Sequence, residues 1–270
     1  MNIPNLIPYF FVFKMSFVKM LTYRMRYYTG ILTYFLYVSV NYYIWKAAFS
    51  GDNSKQINGF TLSEMSTYIV IGWILRSFSY SSIDDEIDSM VSTGQITNYL
   101  IRPVNFQFYM LASAVGEATF RIFMFSLPIA ITLLLFFPIQ QSASGWNYFY
   151  VFVSAILGFL IFAAINFLIG LLSFYLASIR GVMRAKYFLI QLCSGLLLPL
   201  SFFPKYLENI LYFLPFQAIS YIPLQIYLGK VKSMEIYFSL GLQVLWIALL
   251  LLMGQYFWKT TLKNLTVNGG

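Results

Sequence analysis

The sequence predicts an all-α integral membrane protein in which six transmembrane helices follow an N-terminal amphipathic helix. Three observations carry that expectation. Of the 270 residues 60% are hydrophobic and only 10% are charged, whereas a soluble domain carries about 25% charged residues. No soluble core of this length hides so much apolar surface, so lipid is the solvent for most of the chain. Apolar runs of about 20 residues, the length that crosses a bilayer, recur along the sequence. Lys and Arg stand between those runs, as orienting charges do.

Residues 5–26 mix apolar side chains with Lys14, Lys19, Arg24 and Arg26. At about 100° per residue, Lys14, Lys19, Thr22 and Arg26 share an arc of about 140°, with Arg24 outside it. A helix lying in the cytoplasmic headgroup layer has this pattern; an irregular basic tail is the alternative. Span one covers 27–45, and SGDNSKQINGF at 50–60 reads as a loop. Span two covers 61–82, where Thr61 with Glu64 resembles a helix-starting capping box. The longest polar segment, 83–105, reads as cytoplasmic. Span three, 106–137, exceeds the bilayer, so its first turns stand in the cytoplasm, and Pro128 is a candidate kink. Span four covers 147–177, SIRGVMRAK at 178–186 reads as a basic loop, and span five covers 187–203. Pro199, Pro204, Pro215 and Pro223 cut residues 204–229 and their approach into short pieces, the pattern of a re-entrant segment. Span six covers 236–258.

Charge sets the number of crossings. With the N-terminus inside, Lys14, Lys19, Arg24, Arg26, Arg102, Arg180, Arg184, Lys186, Lys259 and Lys263 are cytoplasmic, while Lys46, Lys55, Lys205, Lys230 and Lys232 are outside. That asymmetry follows the positive-inside rule. A full crossing by 204–229 would carry Lys259 and Lys263 outside, so six spans are favoured over seven and both termini are expected in the cytoplasm. No linker divides the chain, which reads as a single membrane domain over 1–270.

Several function classes are excluded or weakened. No G-x-x-x-x-G-K-S/T phosphate loop is present, so the chain is not expected to hydrolyse nucleotide alone. With no histidine, neither a Ser-His-Asp triad nor a His-ligated zinc forms. A single cysteine, Cys193, excludes an internal disulfide and reads as a packing residue. No catalytic residue and no metal site are expected. The first twenty residues lack the basic start and small-residue cleavage site of a removable signal. The net charge of +8 is absorbed by orienting charges, and no basic stripe on a soluble fold points to nucleic acid.

Two constellations stand out. Asp84, Asp85, Glu86 and Asp88 make up four of the nine acidic residues, on a segment where the usual bias is basic. They read either as a solvated helix end or as a short helix presenting charge to a soluble partner. Residues 97–102 offer a further turn, ended by Pro103, and Arg102 keeps its charge and pairs bidentately. The second constellation is Glu117 and Arg121, four apart with Glu first, the favourable helical order. Charges at membrane depth are paired or functional, so this is a structural pair near the boundary or part of a translocation path. Arg76 invites the same question. Asn41, Asn166, Gln191 and Gln243 read as interhelical hydrogen-bonding groups.

The run VSTGQITNYLIRPV at 91–104 resembles the I-x-x-G-x-L/I-x-x-x-L-x-R-P-V block of type-2 ABC exporter permeases. Val267-Asn268-Gly269-Gly270 is similar to the Gly-Gly-like tail of the branch with about 260–270 residues, and the R-P-V block and this tail are its specific features. The acidic run before the block, Gly116-Glu117 with Arg121, and the Pro-broken stretch FFPKYLENILYFLPFQAISYIP extend the likeness in looser form over nearly the whole chain. Gln95, Thr97 and Asn98 depart from it by being polar where relatives are more acidic or apolar. The resemblance implies a coupling helix between spans two and three and re-entrant helices on the outer side before span six. By it, Asp84, Asp85, Glu86, Gly94, Arg102 and Pro103 lie on or beside the coupling segment. It also implies two ATPase subunits that bind ATP and magnesium, and a second permease subunit of the same or a homologous sequence. A bacterial inner membrane is the implied location. The 28 Phe and 22 Tyr suit an amphipathic cargo and equally suit packing and lipid contact. Two rival readings stand beside this one. An ion-coupled secondary transporter needs a relay of intramembrane acids, for which only Glu117 qualifies; a non-transporting membrane scaffold needs no ATPase.

Overall fold

The computed structural model describes residues 6–22, 25–49, 56–142 and 144–264. Among them the regular structure is helical, with no strand. Helix α1 (Ile7–Thr22) falls within the amphipathic segment expected at 5–26, whose residues 5, 23 and 24 lie outside the described set. Helix α2 (Met25–Ala48) contains the first expected span. A two-residue turn then reverses the chain. Asn58 and Gly59 have φ of 49° and 79°, and Ile57 and Phe60 exchange backbone hydrogen bonds at 3.0 Å in both directions. Asn-Gly suits this turn because both central residues need positive φ.

Helix α3 (Leu62–Ser79) begins with the capping box read from the sequence. The Glu64 amide donates to Thr61 Oγ1 and the Thr61 amide donates to Glu64 Oε2 at 2.8 Å. Helix α4 (Ile83–Ser92) buries Ile83, Ile87 and Met90 on one face, the 3.6-residue spacing of an amphipathic helix. Gly94, at φ +71°, ends it; nothing lies within 4 Å of where a Cβ would stand, so the backbone conformation and not space requires glycine. A short turn, α5 (Thr97–Leu100), follows.

Helix α6 (Phe106–Arg121) and α7 (Leu127–Phe136) are joined by a π-turn at Ile122–Ser126, where the Leu127 amide donates to the Ile122 carbonyl. Pro128 explains the irregularity. It has no amide to donate and its ring crowds the carbonyl four residues back, so one wide turn opens without breaking the helix. Helix α8 (Gly145–Gly170) ends in a 3-10 turn at Leu171–Phe174. By length and composition, Phe106–Phe136, Gly145–Phe174 and Ser233–Lys263 are each able to cross a membrane. Thirty helical residues extend about 45 Å, against a hydrocarbon layer of about 30 Å.

The fifth expected span needs correction. Residues 178–186 read as a loop, yet α9 covers Arg180–Cys193, seven residues early, and stops ten residues before the expected end. Gly195 at φ +77° closes it, with the Gly195 amide donating to the Leu192 carbonyl at 3.2 Å. The prolines after it divide the chain into a 3-10 turn at Leu200–Phe202, α10 (Lys205–Phe213), a 3-10 turn at Pro215–Ala218 and α11 (Tyr221–Tyr227). Helix α12 (Ser233–Asn264) overruns the expected 236–258 at both ends.

Aromatic and polar contacts define two ends of the bundle. At one end the Phe60 ring lies 5.9 Å from Phe202 and 4.0 Å from Lys230 Nζ. Residues 203–229 therefore leave from and return to the same end. At the other end, α4 meets α1 through Lys19 and Glu86, 3.5 Å apart, and α12 meets α6 through stacked Trp258 and Phe106 at 4.5 Å. The core runs between them around α3, α8 and α11, with a second cluster of Ile87, Met110, Phe159 and Phe167 beneath α4. Large apolar side chains also face outward, Leu135 and Phe136 on α7 and Leu252 on α12 among them, as lipid contact requires.

Candidate functional site

The linker between α3 and α4 is held by side chains from two other helices. Tyr80 leaves α3 with extended backbone, which frees the last carbonyls of the helix. Arg121 on α6 donates to the Tyr80 carbonyl, and Asn166 on α8 donates through Nδ2 to the Ser81 carbonyl at 2.7 Å. Ser82 donates to Glu117 at 3.4 Å. Any movement of α4 therefore acts on α6 and α8 as well as α3.

Within α4 the acidic run divides three ways. Asp84 points inward. It is 5% exposed, and its Oδ2 lies 2.5 Å from Lys186 Nζ on α9. Lys186 also donates to Asn166 Oδ1 at 2.6 Å, so its ammonium joins α4, α8 and α9. Asp85 is exposed and stands where three cavities, of 570, 330 and 420 Å3, adjoin. Glu86 is half-buried toward α1 and α6, near Lys19 and Ser113. Gly94, Arg102 and Pro103 are exposed, with the Arg102 guanidinium 5.0 Å from the Tyr99 ring centre. The R-P-V block is anchored where the Asn105 amide donates to the Tyr9 hydroxyl at 3.1 Å.

Glu117 and Arg121 are both buried on α6. They do not close an ion pair within 4.0 Å, which corrects the expected i, i+4 contact. Arg121 turns to the Tyr80 carbonyl and ring, Glu117 to Ser82, and the two share one wall of the 330 Å3 cavity. The free carbonyl after α3 is the competing partner that the helical spacing did not reveal.

Arg76 forms the inner continuation of this cluster. It is 6% exposed, with ring centres of Tyr187, Phe162 and Tyr80 at 4.8, 5.2 and 5.5 Å. No carboxylate pairs with it among the described residues; aromatic faces solvate its charge instead. Sequence reasoning placed Asn166 among interhelical hydrogen-bonding groups, and it bonds α8 to α9 and to the Ser81 carbonyl. Lys186, Tyr80 and Tyr187 were not singled out for the cluster.

Close backbone packing fixes α4 and α1 on their neighbours. A Cβ at Gly170 would stand 2.7 Å from Ile87 Cδ1 and 3.2 Å from Asp84 Cα, so only glycine lets α4 settle on the end of α8. A Cβ at Gly116 would fall 2.3 Å from the Phe13 carbonyl oxygen, and Ser16 and Ser113 hydrogen-bond across the same contact at 2.9 Å. The sequence matches the ABC-2 family transporter proteins over residues 35–269. No curated protein matches it.

Proposed function

This chain belongs to the ABC-2 transporter family, a family of membrane transport proteins, and from that premise we propose that it is the permease subunit of an ATP-driven exporter. Two ATPase subunits, binding ATP and magnesium, dock on the end of the bundle that carries α4. Two permease chains, like or unlike, pair to enclose the path. The chain crosses the membrane six times with 204–229 re-entrant on the outer side, and both termini lie in the cytoplasm of a bacterial cell. The tail at 265–270 lies outside the described residues.

The observation that carries this reading is the three-way division of α4. Its inner face is bonded through Asp84 to Lys186, which in turn donates to Asn166, while Asp85 and Arg102 remain exposed. A helix bonded inward and open outward suits the transmission of a partner's movement. When ATP closes the partner dimer, displacement of α4 passes through the Lys186 link to α8 and α9 and through the linker carbonyls to α6. The packing then favours the arrangement that ATP-bound partners bind more tightly, which is all a ligand needs to shift an equilibrium.

The test is co-purification with the ATPase together with ATP-driven transport, for Asp85→Ala and Arg102→Ala. Loss of association or of transport is expected in both; full association and transport in both removes the coupling role.

A further inference from the structure

A further cavity lies at the opposite end, between α10–α11 and α12, with a volume of 510 Å3. That size falls within the range of pockets that hold drug-sized ligands, about 300–1,000 Å3. Its walls include the rings of Tyr212, Tyr221, Phe213 and Phe238. Phe213 and Phe238 are 79% and 75% exposed, and form an open apolar rim.

Most polar groups that line the cavity already have partners. Lys230 pairs with Glu64 at 3.0 Å and donates to the Gly59 carbonyl at 2.6 Å. Glu235 accepts from the Lys232 amide at 3.0 Å. Gln217 donates to the Tyr212 carbonyl. Gln225 differs. It is 7% exposed, lines the cavity, and its carboxamide has no hydrogen-bond partner among the described residues. A carboxamide brings two donors and an acceptor, and here they open onto the cavity, where a ligand is able to pair with them.

We propose that this cavity binds a neutral amphiphile whose hydroxyl or amide head pairs with Gln225 while its apolar body rests on the Tyr and Phe rings. The neutral head follows from Gln225, an uncharged group that both donates and accepts, and from Lys230, whose charge Glu64 already meets; the apolar body follows from the exposed phenyl rim, which opens a lateral route. The inference deepens the permease reading by naming a class of cargo, but binding itself requires no ATPase, so the two fail separately.

The experiment uses the full chain in phosphatidylcholine nanodiscs with Cys193→Ala and Ser239→Cys, the new thiol lining the cavity. Labelling by a maleimide is timed with hexyl β-D-glucoside, hexyl phosphate or hexylamine added. The glucoside is expected to slow labelling about tenfold while the charged chains do not. Gln225→Met is expected to weaken that protection about tenfold, the loss of one buried hydrogen bond. Leu242→Trp, which fills the cavity from α12, is expected to abolish it, and serves should Gln225→Met not fold. A parallel arm supplies a monoglucosyl diacylglycerol within the nanodisc. Protection there alone assigns a lipid headgroup, and protection by the hexyl glucoside alone assigns a cargo that enters from water. Absence of protection in both arms, equal protection by the charged chains, or protection unchanged in a folded Gln225→Met or in Leu242→Trp overturns the proposal.

Discussion

Lys186→Met removes the ammonium that joins three helices. Asp84 and Lys186 are 5% and 7% exposed and 2.5 Å apart, and Lys186 holds Asn166 Oδ1 at 2.6 Å. The substitution strands a buried carboxylate and a buried amide oxygen together. Breaking a buried pair from one side costs about 3–5 kcal/mol, of which an unpaired polar oxygen accounts for about 1–3 kcal/mol. Asp84→Asn leaves the buried ammonium without its counter-charge instead and is expected to cost a similar amount. The double variant removes both charges and leaves no buried ion without its partner. Its loss is therefore smaller than the sum of the singles, by about 2–3 kcal/mol, the upper range for residues in contact. Thermal unfolding of the purified chain measures stability, and transport per ATP hydrolysed in the reassembled complex measures coupling. Each single variant is expected to lower both; the double variant is expected to recover stability but not coupling. Additive losses, or single variants within about 0.5 kcal/mol of the parent chain, would refute the linkage through Lys186.

Gly170→Leu is expected to lift α4 from α8, because the new side chain meets Ile87 and Asp84; overpacking of this kind costs about 1–3 kcal/mol. Transport should fall with the unfolding midpoint, and unchanged transport would place the link elsewhere. Gly116→Leu is expected to part α1 from α6, since its Cβ meets the Phe13 carbonyl. In a Cys193→Ala background, Ser16→Cys, 8% exposed before the change, should then label with maleimide; continued protection would show that α1 is held otherwise. Thr61→Ala removes the oxygen that accepts the Glu64 amide and should lower stability by about 1 kcal/mol, with no loss if the cap is dispensable.

The sequence made local punctuation legible. The Thr61–Glu64 box, the irregularity at Pro128 and the short pieces between Pro199 and Pro223 each follow from a residue's own backbone chemistry. The start of α9 did not, because Arg180, Arg184 and Lys186 read together as loop charges. On a helix, Lys186 lies about 160° around from Arg184, and that separation is the signal that one basic residue faces inward. The acidic run was legible as a site, but its division was not. Which of Asp84, Asp85 and Glu86 turns inward depends on where α9 lies, and no periodicity within ten residues reports that. Glu117 and Arg121 show the same limit in reverse. Their spacing is correct for a pair, but the freed Tyr80 carbonyl, distant in sequence, takes the guanidinium.

Flux across proteoliposomes that hold this chain with its ATPase, compared with those that hold the chain alone, decides whether a separate motor drives it. ATP inside the former should drive export that stops when the ATPase is left out, whatever ion gradient is imposed. Flux through the chain alone, driven by an ion gradient and indifferent to ATP, would contradict the permease assignment.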